Sequence, residues 1–219
     1  RHRTGRMTRP MLTDLTLPIA ESMPTNRPDH SPPTMRQYAT IETAGWCGTE
    51  LTIDTHCGTH VDAPAHFIPG GRAVSEIPLS TLIGPCQVMR VAADADGAVL
   101  PEHLGTLTSE RVILDTGWSA RLADDEEGYF SRHSYLHPDT ATLLVQSGVR
   151  LVAIDTPSVD RRDDRVHHIL LGNEVIIVEN LSKTSQLPDQ ITIIVAPLPL
   201  KDADGSPARV VAMTDGADQ

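Results

Sequence analysis

Asp139-Thr-Ala-Thr-Leu-Leu-Val-Gln-Ser-Gly148-Val-Arg-Leu151-Val-Ala-Ile154 carries the pattern that sets the fold class. Asp139 can cap a helix whose apolar positions are Leu143, Leu144 and Val145, and Gly148 can stop it. The apolar run Leu151 to Ile154 then follows as a buried strand. The alternation repeats at once: a helix over about 164–171 ends at Gly172 and leads into a strand at 175–178. Toward the N-terminus, short apolar runs at 86–92 and 112–115 read as strands. Residues 38–55, with turn points at Gly45 and Gly48, read as a hairpin, and 11–19 as a further short strand. Between these two, Pro24, Pro28, Pro32 and Pro33 force an extended loop without helix. Toward the C-terminus, 191–196 and 210–213 supply more strand. The expectation is a single domain of the α/β class, with α+β as the alternative, built on a mixed sheet whose strand order stays open. The domain is expected over 11–219, with 1–10 as a disordered or tag-like tail in which Met7, or else Met11 just beyond it, is the natural start.

Composition narrows the function. The chain has 219 residues, 39% apolar and 21% charged, as expected of a globular protein. Only 3% is aromatic, so aliphatic side chains must fill the core, helped by residues such as Phe67 and Trp118. A formal charge of -11 and a pI near 5.2 argue against a nucleic-acid surface. The one local pair of basic residues, Arg161 and Arg162, is flanked by Asp160, Asp163 and Asp164 and reads as a solvated loop. Cys47, Cys57 and Cys86 are odd in number and lack CxxC spacing, which fits a reducing, cytoplasmic setting. No run is long and apolar enough to span a bilayer.

The chemistry concentrates in His56-Cys-Gly-Thr-His60-Val-Asp62-Ala-Pro-Ala-His66. His56, His60, Asp62 and His66 all fall on even positions, so a strand-like path could aim all four toward one point. A helix would spread them, and Pro64 would break it. Gly58 and Pro64 supply one permissive and one stiff position for a chain wrapping a small ion. Cys57 has the opposite parity and is expected to pack away. Singly, each histidine reads as an ordinary surface or core residue. As a set beside strand-forming sequence they are costly, and a bound metal is the usual compensation. A second cluster lies in His167-His-Ile-Leu-Leu-Gly-Asn-Glu-Val-Ile-Ile-Val-Glu179. There Glu179 shares the parity of Val175 and Ile177 and is either a carboxylate ligand brought from afar or half of a salt bridge. In Leu151-Val-Ala-Ile-Asp155-Thr-Pro-Ser158, the polar end is either a site edge or a turn held by Asp155 and Ser158.

The His56 to His66 segment has the HxGTHxDxPxH pattern of the cyclase family of metal-dependent hydrolases, whose best characterised members are bacterial kynurenine formamidases. The resemblance extends to Leu79-Ser-Thr-Leu-Ile-Gly-Pro-Cys86, to Ile154-Asp-Thr-Pro-Ser-Val-Asp160, to the His167 and Glu179 spacing, and to Pro199-Leu-Lys201 with Gly205-Ser-Pro207. It implies a swivelling β/β/α fold, a homodimer or homotetramer, and one or two zinc or manganese ions per chain. By the same match His56, His60 and Asp62 would bind the first metal, and Asp62 would bridge to a second held by His167 and Glu179. His66 would shuttle protons and His168 would be spare. The metal would lower the pKa of bound water to about 7, making hydroxide available to attack a small-molecule carbonyl. One departure concerns the substrate. Kynurenine formamidases usually carry a tryptophan where this chain has Asn26, within Pro24-Thr-Asn26-Arg-Pro-Asp29, and the ring that would stack on an anthraniloyl group is gone. Three functions follow: a hydrolase of a small amide, imide or lactone; a cyclase of a secondary-metabolite pathway; or a metal-binding protein without turnover.

Overall fold

Short runs of β-branched and aliphatic residues, each too small to bury its own faces, pair here into one closed sheet. The computed structural model of the protein describes residues 9–23, 31–124 and 126–215. In chain order the strands are β1 (Met11–Asp14), β2 (Thr34–Ala39), β3 (Gly48–Thr52), β4 (His60–Asp62), β5 (Ile83–Arg90), β6 (Ala98–Val99), β7 (Arg111–Asp115), β8 (Tyr135–Leu136), β9 (Leu151–Ile154), β10 (Ile176–Glu179), β11 (Gln190–Pro197) and β12 (Gly205–Thr214). The helices are α1 (Ile41–Ala44), α2 (Leu79–Leu82), α3 (Glu126–Ser131), α4 (Pro138–Gln146) and α5 (Arg165–Gly172).

The main sheet runs β1-β12-β11-β5-β7-β9-β10-β4, and β4 pairs again with β12. Seven strands therefore close into a barrel, with β1 appended outside β12. Strands β5, β7, β9 and β10 are mutually parallel and the remaining pairings are antiparallel, so the sheet is mixed as expected. The three residues of β4 form the closing stave: His60, Val61 and Asp62 face Glu179, Val178 and Ile177 on one side, and Pro207, Ser206 and Gly205 on the other.

Alternation along the strands splits the apolar residues between two faces. All seven staves contribute to one cluster, including Val61, Cys86, Ile113, Ala153, Val178, Ile193 and Val210, which must be the barrel interior. The second cluster takes Val112, Leu114, Val152, Ile154 and Ile177 from the outer face of the parallel strands. It joins them to Ala141 and Leu144 of α4 and to Val166, Leu170 and Leu171 of α5. Each fully buried aliphatic side chain contributes about 1.5–3 kcal/mol. Leu82 belongs to the interior, whereas Phe67 and Ile68 pack against the helix-side cluster.

Three local expectations change. The first helix starts earlier than Asp139: its cap is His137, whose ring accepts from the Asp139 amide, and Pro138 takes the first helical position where no amide is needed. The hairpin is β2 against β3, and a helical turn, α1, occupies the middle of the span because Thr40 and Thr43 form a reciprocal cap. The 161–165 loop is solvated as expected at Arg162 to Arg165, but Arg161 is only partly exposed. Its guanidinium donates to the carbonyls of His133, Arg132 and Asp96 and lies over Tyr135, which staples two loops together. Residues 1–8 of the expected tail and the 24–30 segment with Asn26 lie outside the described residues. Among those described, no helix is long and apolar enough to cross a membrane.

Candidate metal centre

The chain enters the site through a turn. His56 sits in that turn, only His60, Val61 and Asp62 are strand, and His66 ends the single 3-10 turn Pro64–His66. The strand-like path expected for all four even positions is therefore confined to two of them. The segment before His60 bends at Gly58, whose φ of 64° suits glycine, and Pro64 starts the next turn. The convergence survives because the bend carries His56 back over Asp62.

Glu179 keeps the parity of Ile177 and so lies on the outer, helix-facing side of β10, directly opposite His60. His167 comes down onto the same spot from α5. Its orientation is set by Asp160, whose carboxylate accepts from the amides of Val166 and His167 at 3.2 and 3.0 Å and from His167 Nδ1 at 2.8 Å. One carboxylate thus begins the helix and aims the ring.

A repeated arrangement follows. His60 Nδ1 donates to the Gly58 carbonyl at 2.8 Å, leaving Nε2 at 3.3 Å from Asp62 Oδ1 and 3.4 Å from Glu179 Oε2. With Nδ1 of His167 engaged by Asp160, its Nε2 lies 3.4 Å from Glu179 Oε1 and 3.5 Å from Asp62 Oδ2. His56 Nε2 donates to Asp204 Oδ2 at 2.9 Å and its Nδ1 lies 2.8 Å from Asp62 Oδ1. Every ring has one nitrogen held by an outer acceptor and the other aimed at a central carboxylate, Asp62 for all three and Glu179 as well for His60 and His167. In a neutral imidazole that second nitrogen is a lone pair, and a lone pair facing a carboxylate needs a cation between them. Asp62 Oδ2 is buried without a hydrogen-bond partner. Two carboxylates and three imidazoles of this kind suit a divalent ion that takes nitrogen and oxygen, and the fit rests on both observations.

The protons of the cluster respond in the same sense. Burial opposes charge on His60, yet Asp62 and then Glu179 outweigh it and push its pKa up to about 10. His167 is held well above its ordinary value: Asp160, Asp62 and Glu179 overcome burial. His56 is also raised against burial, chiefly by Asp62. Conversely, burial and the Asp62 charge oppose ionisation of Glu179, but His167 and His60 bring it down to about 2. Imidazolium can therefore substitute for a metal's charge, and the signs give a prediction for protein stripped with a chelator. Stability from the raised histidines is complete below 6.5 and lost as pH climbs toward about 10. Stability from Glu179 is complete above 4.5 and lost as pH falls toward about 2. Stripped protein is expected to melt highest near about pH 5–6 and lower at about pH 8–9, and added metal ion to raise the melting temperature most at the alkaline end, where fewer protons need displacing. Thermal melts across pH, with and without chelator, check this. A stripped protein that gains stability from pH 6 to 8 would overturn it.

His66 stands apart from the inner donors. Its side chain is 25% exposed and that of Asp204 41%, against 1–6% for Asp62, His60, Glu179 and His167. Burial, opposed by Asp62, lowers its pKa, so the ring is neutral at physiological pH. It stacks on His56 at 3.9 Å between centroids and meets the edge of Phe67, which itself stacks on His167 at 4.6 Å. His168 is exposed, and its ring meets Phe67 edge-on at 5.2 Å. Cys57 Sγ lies 3.4 Å from Met23 Sδ, away from the donors, and burial pushes its thiol up to about 11. Both readings of 151–158 hold in part: Ser158 accepts from the Asp160 amide and closes the turn, Asp155 instead accepts from Thr116 and Ser119 of the loop after β7, and just beyond, the Val159 amide donates to Glu179 Oε1 at 2.7 Å, so the segment also borders the site.

Sequence reasoning assigned no role to Asp160 or Asp204. Asp160 stands seven residues before His167 in an acidic loop, where charge hides it. Asp204 reaches His56 only through the pairing of β12 with β4.

A closed mixed barrel thus carries on its flank a buried set of imidazoles and carboxylates that could hold a divalent ion. Residues 13–161 match the family model described as "Putative cyclase", and the chain belongs to the cyclase family. It is 36% identical over 172 residues to kynurenine formamidase of Bordetella avium, covering 74% of this chain and 78% of the relative. To kynurenine formamidase of Salinibacter ruber it is 38% identical over 167 residues, covering 74% and 77%. The structure of a predicted metal-dependent hydrolase from Bacillus stearothermophilus superposes with a TM-score of 0.77 at 28% identity, over 94% of this chain and 98% of that one.

Proposed function

We propose that the protein is a metal-dependent hydrolase that cleaves the carbon–nitrogen bond of a small non-peptide amide, an aryl formamide first among them. The observation that carries this reading is the shared aim of three imidazole nitrogens at Asp62, two of them also at Glu179, each ring fixed from behind. The names of the relatives support the amide. His56, His60 and Asp62 would hold one ion, with Asp62 shared toward a second held by His167 and Glu179; zinc and manganese both suit these donors. The bound ion supplies an acidified water and a polarised carbonyl.

The chain's own groups do the rest. Phe67 shields the His167 side of the centre. His66, neutral and at the solvent edge, takes a proton on Nε2 and returns it to the nitrogen of the departing amine, which must leave protonated. The setting is a reducing cytoplasm, supported by three free cysteines. Assembly as a homodimer or homotetramer is supported by Tyr38, Ile41, Trp46 and Leu51, exposed on the β2–β3 arm.

Protein loaded with zinc or manganese is expected to hydrolyse N-formylkynurenine or simpler formanilides, to lose that activity to a chelator, and to recover it on reloading. Loaded protein inert toward the formanilides and toward a wider panel of amides, imides and lactones would overturn the reading. A ring-opening reaction on a cyclic imide or lactone is the second reading, favoured by Asn26 in place of the stacking ring; turnover of those substrates alone would select it.

A further inference from the structure

We propose that Asp204 is the positioning residue for the proton carrier, holding His66 in one tautomer and tying it to His56. This rests on the role given to His66 above. Asp204 precedes β12, and its carbonyl accepts from the Ala63 amide at 2.9 Å, so its backbone is stitched into the segment between Asp62 and His66. The approach depends on Gly205: a Cβ there would lie 2.7 Å from both His56 Cε1 and the Val61 carbonyl oxygen. Only a bare backbone lets the Asp204 carboxylate come this near.

The carboxylate is shared. Oδ2 accepts from His56 Nε2 at 2.9 Å and from His66 Nδ1 at 3.2 Å, and Oδ1 accepts from the Thr55 hydroxyl at 3.2 Å. With Nδ1 of His66 donating to Asp204, Nε2 is left as the lone pair that can receive a proton. Among the described residues Nε2 has no hydrogen-bond partner, as a nitrogen kept for substrate requires. A carboxylate behind an imidazole fixes tautomer and orientation and stabilises the imidazolium that forms during transfer. His56, His66 and Asp204 also offer donor atoms within 4.8 Å of one another. A cation held there would have to share His56 with the ion near Asp62, which needs an imidazole stripped of both protons. The hydrogen-bonded arrangement asks for nothing so unusual.

The test uses metal-loaded protein and a series of formanilides whose ring substituents change the basicity of the departing amine. Because Asp204 also holds His56, Asp204→Asn is expected to weaken metal binding by about 10-fold to 100-fold, and at saturating metal to keep its KM within about twofold while kcat falls about 10-fold to 100-fold. The loss is expected to shrink for nitro-substituted rings, whose amines need less help from an acid. Asp204→Glu is expected to restore part of the rate. The double variant His66→Ala/Asp204→Asn is expected to be no slower than His66→Ala alone, because the two act as a unit. Three results would overturn the proposal: full activity regained by Asp204→Asn once metal is saturating, a loss blind to the leaving group, or a double variant slower by the full product of the singles. If His66→Ala alone is as fast as the unaltered protein, the reading of His66 falls first. The melting temperature of each variant separates these effects from misfolding; at 41% exposure an isosteric asparagine fits without repacking.

Discussion

Asp62→Asn is expected to cost the protein its metal and its turnover together. The carboxylate meets all three inner rings: Oδ1 lies 2.8 Å from His56 and 3.3 Å from His60, and Oδ2 lies 3.5 Å from His167. Asparagine keeps the shape, removes the charge and offers one acceptor where two are needed. Changes to groups merely behind a metal's ligands already cost about 10-fold to 100-fold in affinity, so loss of this shared carboxylate is expected to exceed 100-fold, with activity down by about 1,000-fold or more. The surrounding histidines also lose the charge that outweighs their burial, so their pKa values fall back. The alkaline decline of the stripped protein is then expected to flatten. Metal per chain after dialysis, read with the rate on a formanilide, checks the first claim. A variant that keeps its ions would overturn it.

His66→Ala is expected to behave oppositely toward metal. The ring is at the solvent edge and its Nδ1 is spent on Asp204, so the inner donors remain and metal content is expected to match the unaltered protein. Turnover is expected to drop by about 100-fold to 10,000-fold, the range for losing a positioned acid–base group, with KM little changed. His66→Gln, which keeps polarity but cannot carry the proton, is expected to be equally slow. A rate within a few-fold of the unaltered protein would remove His66 from the chemistry. The contrast with Asp62→Asn is the useful part, since one variant separates metal from rate and the other does not.

The barrel and the donors were legible to different degrees, for physical reasons. Leu151–Ile154 and the run into Glu179 are readable because a strand buried on both faces is an unbroken apolar run, and Glu179 does lie in line with Ile177 on the helix-facing side. The strand period of two misdescribed His56 and His66, which sit in turns, where parity has no meaning; their even numbers were coincidence. What the sequence did show there was composition, three histidines and an aspartate too close together to be ordinary. The start of α4 was placed two residues late because aspartate caps helices more often than histidine, while Asp139 here fills the acidic first turn. Barrel closure, and with it the reach of Asp204, was invisible because it depends on β4 meeting β12 across more than 140 residues, as in the pair Asp62 and Gly205.

That closing stave has a consequence in time. A chain made from its N-terminus presents His56, His60 and Asp62 early, but β4 has no neighbour on one side until Ile177 to Glu179 exist and none on the other until Gly205 to Pro207 follow. Contacts so distant along the chain form only after their partners are synthesised and the intervening loops are closed. The full set of donors therefore does not come together on the growing chain until residue 207 has been made and β4 has met β12, so the site is assembled by closure of the barrel and not by any one segment.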